Sequence, residues 1–304
     1  MTHILYADRP FPDEYLDLVD GRAEVVGPDD GFDTAVGVIA GMFPWTGEAM
    51  DRFASLKVIS RAGIGYDTVD VVAAAQRGIV VCNAPESPTV STAEHTIALM
   101  LAVARELPRQ TARAGHGLAG PVVPVETLEL AGSTLGLVGL GRIACRVART
   151  ALALEMRVIA HDPFLDVCPV PGVELVPLAQ VWASSDIVSL HAPATADTYR
   201  MVDAGSLEVM KPGVRLINCA RGALIDHDAL LKALESGHVA GVGLDVTDPE
   251  PLPEGHPLLL HERAIVTPHI ASSTRAGRRR LFEHAIDNAI AVLEGRPATI
   301  VTSL

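Results

Sequence analysis

Residues 134–154 read TLGLVGLGRIACRVARTALAL, and how this stretch folds decides the fold of the chain. Its first five residues suit a buried strand, and from Arg142 onward the apolar residues fall at helical spacing. Between the two, Gly139, Gly141 and Ala144 form a G-x-G-x-x-A pattern. The first glycine permits a tight turn, and the second lets a pyrophosphate approach the backbone. The small third residue lets helix and strand pack closely, with the helix N-terminus facing the anion. Such turns also occur for packing reasons alone, so the context has to carry the reading. The next strand, RVIAHD at 157–162, ends in Asp162, eighteen residues past Ala144. A dinucleotide fold places an acid there for the ribose hydroxyls; the plainer role for Asp162 is a turn cap before Pro163. Strand, turn, helix, strand and acid in that order favour the dinucleotide. Residues 163–165 are Pro, Phe and Leu, with no arginine for a 2′-phosphate, so NAD is expected over NADP.

Working outward, 304 residues accommodate one large domain or two of ordinary size. Apolar residues make up 49% and aromatics 4%, so Ala, Val, Leu and Gly do most of the packing. A net charge of −13 argues against nucleic acid as a partner. Cys82, Cys145, Cys168 and Cys219 are scattered, which excludes a disulfide framework and fits a reducing cytoplasm. The 11 histidines show no metal-ligand spacing, and no metal is expected. The first ten residues lack the basic and apolar regions of a secretion signal. No run approaches the ~18 uncharged apolar residues of a membrane span, so no membrane partner is expected.

Short β-rich runs alternate with helical ones before the glycine turn: HILYA (3–7), AEVVG (23–27), AVGVIAG (35–41), LKVIS (56–60) and IVVCN (79–83). The helix DTVDVVAAAQRG closes at Gly78. The segment 91–107, STAEHTIALMLAVAREL, opens with a Ser91/Glu94 capping-box pattern and is apolar nearly all round, as in a buried helix. Residues 108–132, rich in Gly and Pro, read as a connecting arm. After the turn the alternation resumes with DIVSLHAP (186–193), VRLINCA (214–220), VAGVGLDV (239–246) and AIVTPH (264–269). A last helix at about 274–294 ends at Gly295, with Pro297 beyond. Two parallel sheets, each covered by helices, are predicted: an α/β chain of two doubly wound domains.

In open parallel sheets ligands collect at the carboxyl ends of strands. Three strands end there in charged or titratable groups: Arg221 after VRLINCA, Asp245 and Glu250 in VGLDVTDPEP, and His269 in AIVTPHIASS. A carboxylate bonded to an imidazole fixes its tautomer and makes it a proton donor near neutral pH. An arginine beside them grips a carboxylate or polarises a carbonyl. Each also has a bland reading: a turn histidine, a solvated glutamate between prolines, an arginine escaping to solvent. Behind a dinucleotide turn, the three together point to a site.

Six separated segments resemble the D-2-hydroxyacid dehydrogenase family: RAGIGYDTVD (61–70), AEHTIALMLAVAREL (93–107), LAGSTLGLVGLGRIA (130–144), INCARGALID (217–226), GLDVTDPEP (243–251) and TPHIASST (267–274). The resemblance implies an NAD-binding Rossmann domain, residues 99–276, inserted into a flavodoxin-like substrate domain of 1–98 and 277–304. It implies catalytic roles for Arg221, Glu250 and His269, with His269 as proton donor and acceptor. Hydride passes between NAD(H) and a small 2-oxo or D-2-hydroxy acid. Backbone amides around Ile64 and Gly65 would hold the substrate carboxylate. Cofactor contacts are implied at Gly139, Gly141, Arg142, Ile143, Asp162, Ala192, Cys219, Ala220 and Asp245, and a homodimer is implied through the cofactor domain. The segment LDVTDPEPLPEGHPLL is similar to glyoxylate and hydroxypyruvate reductases, and NCARG to phosphoglycerate dehydrogenases. Two departures stand out: Ala144 replaces the third turn glycine, and residues 115–125 lack a tryptophan common there. Two rivals share the scaffold. Formate dehydrogenases carry a glutamine where Glu250 stands, and NADH-binding corepressors keep similar site residues while acting through partners.

Overall fold

The computed structural model describes residues 2–117 and 127–301. In chain order the elements are β1 (His3–Ala7), β2 (Ala23–Val26), β3 (Gly37–Ala40), α1 (Gly47–Met50), β4 (Val58–Arg61), α2 (Val71–Gln76), β5 (Val80–Cys82), α3 (Thr89–Ala104) and α4 (Leu107–Gly115). They continue with β6 (Thr134–Val138), α5 (Arg142–Ala153), β7 (Arg157–His161), β8 (Val173–Leu175), α6 (Leu178–Ser184), β9 (Ile187–Leu190) and α7 (Ala204–Val209). The remainder are β10 (Val214–Asn218), α8 (His227–Glu235), β11 (Val239–Leu244), α9 (Pro257–Leu260), β12 (Ala264–Val266) and α10 (Arg275–Leu293). Among the described residues no helix is long and apolar enough to cross a membrane.

The chain divides into two compact units, Met1–Thr89 with Ser273–Leu304, and Val90–Ser272. The boundaries read from the sequence, 98/99 and 276/277, fall inside α3 and α10. In the first unit five parallel strands lie in the order β2-β1-β3-β4-β5. Neighbouring residues of each strand serve opposite faces. Leu5, Ile39, Val58 and Cys82 pack with Phe282, Ala285, Ile286 and Ala289 of α10, while Tyr6, Val38, Ile59 and Val81 pack with Trp45, Met50 and Phe53. Burial on both faces is why these strands read as unbroken apolar runs rather than alternating ones.

The second unit is a seven-stranded parallel sheet in the order β12-β11-β10-β9-β6-β7-β8. Chain order therefore reverses between β6 and β9. Leu137, Val158, Ile187 and Ile217 bury one face against α3 and α5; Val138, Ile159, Val188 and Leu216 bury the other against α6, α7 and α8. Each fully buried side chain of this size contributes about 1.5–3 kcal/mol. Ala144, Ala148 and Ala151 on α5 are wholly buried, so the third position of the turn motif works as a small residue without being glycine.

Three elements depart from the sequence reading. Helix α3 begins at Thr89, so Ser91 and Glu94 lie inside it and are not its cap; the Thr89 hydroxyl donates back to the Pro85 carbonyl (3.1 Å). The arm at 108–132 contains α4, which Pro108 starts well because an N-terminal proline costs no intrahelical bond. Residues 118–126 of that arm, most of the stretch without the tryptophan, lie outside the described residues. Strand β8, three residues long and flanked by prolines, carried too short a pattern to be read.

Candidate active site

Every strand of the larger sheet points its carboxyl end the same way, because every pairing is parallel. The sequence-predicted residues of this unit follow directly on those ends: the glycine turn after β6, Asp162 after β7, Ala192 after β9, Cys219–Arg221 after β10, Asp245 after β11 and His269 after β12. One sheet edge thus gathers groups scattered over 130 positions, since His269 and Gly139 differ by 269 − 139. Ile64 and Gly65 belong to the other unit, in the turn after β4, where the Asn83 side-chain amide donates to the Ile64 carbonyl (2.8 Å).

The β6–α5 turn is shaped by contact. Gly139 has φ +88°, and a Cβ there would lie 2.8 Å from the His191 carbonyl oxygen and 3.1 Å from the Ala192 nitrogen. Position 139 therefore excludes any side chain, while a Cβ at Gly141 would meet open space. Gly141 caps α5 without a side-chain bond, which leaves the helix N-terminus suited to an anion. Asp162 accepts the Leu140 N–H (2.8 Å) on one oxygen and the Phe164 N–H (3.0 Å) on the other. A carboxylate has about four acceptor positions, so it ties turn to strand end and keeps capacity for a ribose diol. Turn, open helix end and acid together fit a dinucleotide.

His269 and Glu250 meet: the ring Nδ1 lies 2.6 Å from Glu250 Oε1. Glu250 Oε2 accepts the Thr247 N–H at 3.4 Å. The carboxylate fixes hydrogen on Nδ1 and leaves Nε2 to exchange protons. Both side chains keep access to solvent, at 39% and 35% exposure, and they line a pocket of about 340 Å³ with Leu252, Leu259 and Val266. Arg221 stands in extended backbone before a single 3-10 turn, Gly222–Leu224. Its Nη1 donates to the Ala220 carbonyl (2.7 Å), and its own carbonyl accepts from Asn218 Nδ2 (2.8 Å). A Cβ on Gly222 would lie 2.0 Å from the Thr247 carbonyl carbon. That close backbone approach seats the Arg221 loop on the loop that carries Glu250.

Two groups at this edge were not singled out in the sequence. His191 bonds Ser189 Oγ (2.9 Å), and burial pushes the ring down to about 4, so it stays neutral. Thr267 bonds the Asp245 carboxylate (2.6 Å). His191 follows a strand end, as Arg221 and His269 do, and that position was the available signal. Burial pushes the Cys219 thiol up to about 12, which makes it a packing group. Asp245, 1% exposed, spends its carboxylate on Thr267 and on the amides of Ile270 and Ala271.

Residues 97–271 match the family model described as D-isomer specific 2-hydroxyacid dehydrogenase, NAD binding domain. The chain belongs to that family. The matched span lies within the Val90–Ser272 unit, which is its NAD-binding domain with a Rossmann strand order. Among family relatives, a D-3-phosphoglycerate dehydrogenase of Archaeoglobus fulgidus is 40% identical over 259 residues, 84% of this chain and 49% of that protein. A glyoxylate reductase of Thermofilum pendens is 40% identical over 261 residues, covering 82% of this chain and 75% of that protein. A crystal structure of a Thermus thermophilus protein superposes with a TM-score of 0.90 at 43% identity, covering 98% of this chain and all of that one. The chain spans about half the length of the phosphoglycerate dehydrogenase it matches.

Proposed function

We propose that the protein is an NAD-dependent D-2-hydroxyacid dehydrogenase that interconverts a small 2-oxo acid and its D-2-hydroxy acid. The observation that carries this reading is the 2.6 Å His269–Glu250 pair on the same sheet edge as the glycine turn. Bound NADH supplies the hydride that the carbonyl carbon receives. His269 gives the accompanying proton from Nε2 to the substrate oxygen, and takes it back in the reverse direction. Glu250 holds the ring oriented and keeps hydrogen on Nδ1. Arg221 meets the carboxylate and polarises the carbonyl, and the amides around Ile64 and Gly65 supply further donors to the carboxylate, as the family resemblance implies. Asp162 would hold the ribose hydroxyls and the backbone at Gly141–Ile143 the pyrophosphate, with Ala192, Cys219, Ala220 and Asp245 as the further cofactor contacts that the resemblance implies.

The unit Val90–Ser272 acts as cofactor domain and the other as substrate domain. The working molecule is a homodimer, by the same resemblance, and its scattered cysteines suit a reducing cytoplasm. NADH oxidation with glyoxylate, hydroxypyruvate, pyruvate and phosphohydroxypyruvate tests the activity. Turnover of at least one is expected, and none with any of them overturns the reading in favour of a corepressor-like sensor. Light scattering tests the dimer.

A further inference from the structure

Asp245 is enclosed, yet its carboxylate makes more bonds than a cofactor contact needs. Oδ1 accepts the Thr267 hydroxyl (2.6 Å) and the Ile270 N–H (2.9 Å), and Oδ2 accepts the Ala271 N–H (2.8 Å). The Asp245 carbonyl accepts the N–H of His269 itself (2.9 Å). These four bonds grip the 267–271 turn on both sides of His269. The grip has a purpose at that residue: His269 has φ +53°, a left-handed conformation that a residue with a Cβ adopts only where its surroundings impose it.

One more side chain reaches this network, and it comes from α3. His95 Nε2 lies 3.1 Å from Thr267 Oγ1 and 3.4 Å from Asp245 Oδ1. A hydroxyl has a single hydrogen, and that of Thr267 is committed to the carboxylate. Thr267 Oγ1 is then the acceptor towards His95, so the ring carries a hydrogen on Nε2. The chain of donors runs from His95 to Thr267 to Asp245, and it compensates a buried carboxylate that would otherwise be costly to keep charged.

We propose that His95 is a positioning residue for His269, acting through Thr267 and the Asp245 carboxylate; the claim rests on the proton-transfer role proposed above for His269. The polar partners of His95 are Thr267 and Asp245, not His269 or Glu250. Its bond sets the placement of Asp245, and Asp245 sets the turn that aims His269 at Glu250. Removing the donor loosens the turn and costs turnover, while the glycine turn that serves the cofactor is untouched.

The test compares wild type with His95→Leu, which lacks the donor, and His95→Gln, which presents an N–H at similar reach. Hydrogen exchange at the amides of His269, Ile270 and Ala271 reads the turn without any substrate. In His95→Leu exchange at these amides is expected to speed up about 10-fold, the equivalent of one hydrogen bond's net contribution. The same variant should lose roughly 10-fold or more in kcat, with KM for the 2-oxo acid little changed. His95→Gln should recover most of both losses. Thr267→Val, which keeps the shape and removes the hydroxyl, should reproduce His95→Leu and carries the test should that variant fail to fold. Unchanged exchange at 269–271 overturns the proposal. So does a kcat loss that glutamine does not rescue and that tracks a fall in Tm, which is the pattern of a merely structural residue. If the wild type reduces no 2-oxo acid, the proposed function fails, while the exchange data still decide whether His95 holds the turn.

Discussion

In the proposed reaction His269 is a directional proton carrier, because Glu250 occupies its Nδ1 at 2.6 Å and leaves Nε2 free of that bond. Glu250→Ala removes the partner that orients the ring, so kcat/KM should fall by at least ~10-fold in both reduction and oxidation. Steady-state kinetics in both directions check this; unchanged rates would show that the pair does not act together. Arg221→Lys keeps the charge and loses the planar fork, so kcat/KM should drop about 10²-fold, roughly 3 kcal/mol, with NADH affinity near normal. His191 gives a pH effect on stability. Burial sets its folded value near 4 against 6.5 for the free ring, so the unfolded chain takes up the extra proton. The stability it contributes is complete above pH 6.5 and is lost as pH falls towards 4. Urea unfolding of His191→Gln across that window should show a flatter dependence than wild type, and an equal slope would remove His191 from the account.

At the scale of elements, the turns carry the candidate site and the strands aim it. The β6–α5 turn was legible because glycine at 139 and 141, Ala144 and Asp162 are separated by distances that one strand–helix–strand unit requires. The turn at 221–224 was legible only in part. Arg221 could be read from its place after an apolar strand, whereas the role of Gly222 depends on Thr247, 25 residues later (247 − 222), reaching its backbone. Gly222→Ala places a Cβ against backbone that cannot rotate away, so the two loops must separate. A displacement near 1 Å at a reacting group can cost about 10²-fold; kcat/KM is expected to fall by at least ~10-fold, with NADH binding retained. Steady-state kinetics beside a fluorescence titration with NADH separate the two effects. Two elements escaped the reading: β8 spans three residues hemmed in by prolines, and the polar α4 lies in an arm whose Gly and Pro content reads as a connection.

For the molecule as a whole, cofactor binding and folding of the Val90–Ser272 unit are linked, because the glycine turn and Asp162 face each other only in the folded sheet. NADH at 100 times its Kd should stabilise the protein by about 2.7 kcal/mol. NADPH should do markedly less, since a 2′-phosphate would face the Asp162 carboxylate with no arginine at 163–165. A preference of ~10-fold or more, about 1.4 kcal/mol, is expected for NADH. Thermal unfolding with each nucleotide measures it, and equal shifts would contradict the role given to Asp162.

By itself the sequence determined the parallel α/β architecture, since continuous apolar strands between amphipathic helices have few other ways to bury both faces. It also determined the dinucleotide turn, a local object whose parts lie within 29 residues of one another, from 134 to 162. Only the tertiary structure decided what lies across strand ends. The Asp245 grip on the His269 turn, the His95 contact from α3 and the seating of Gly222 on Thr247 all join residues far apart in the chain. No periodicity encodes such pairings. They arise from the order of strands in the sheet, which places the loops after β10, β11 and β12 side by side.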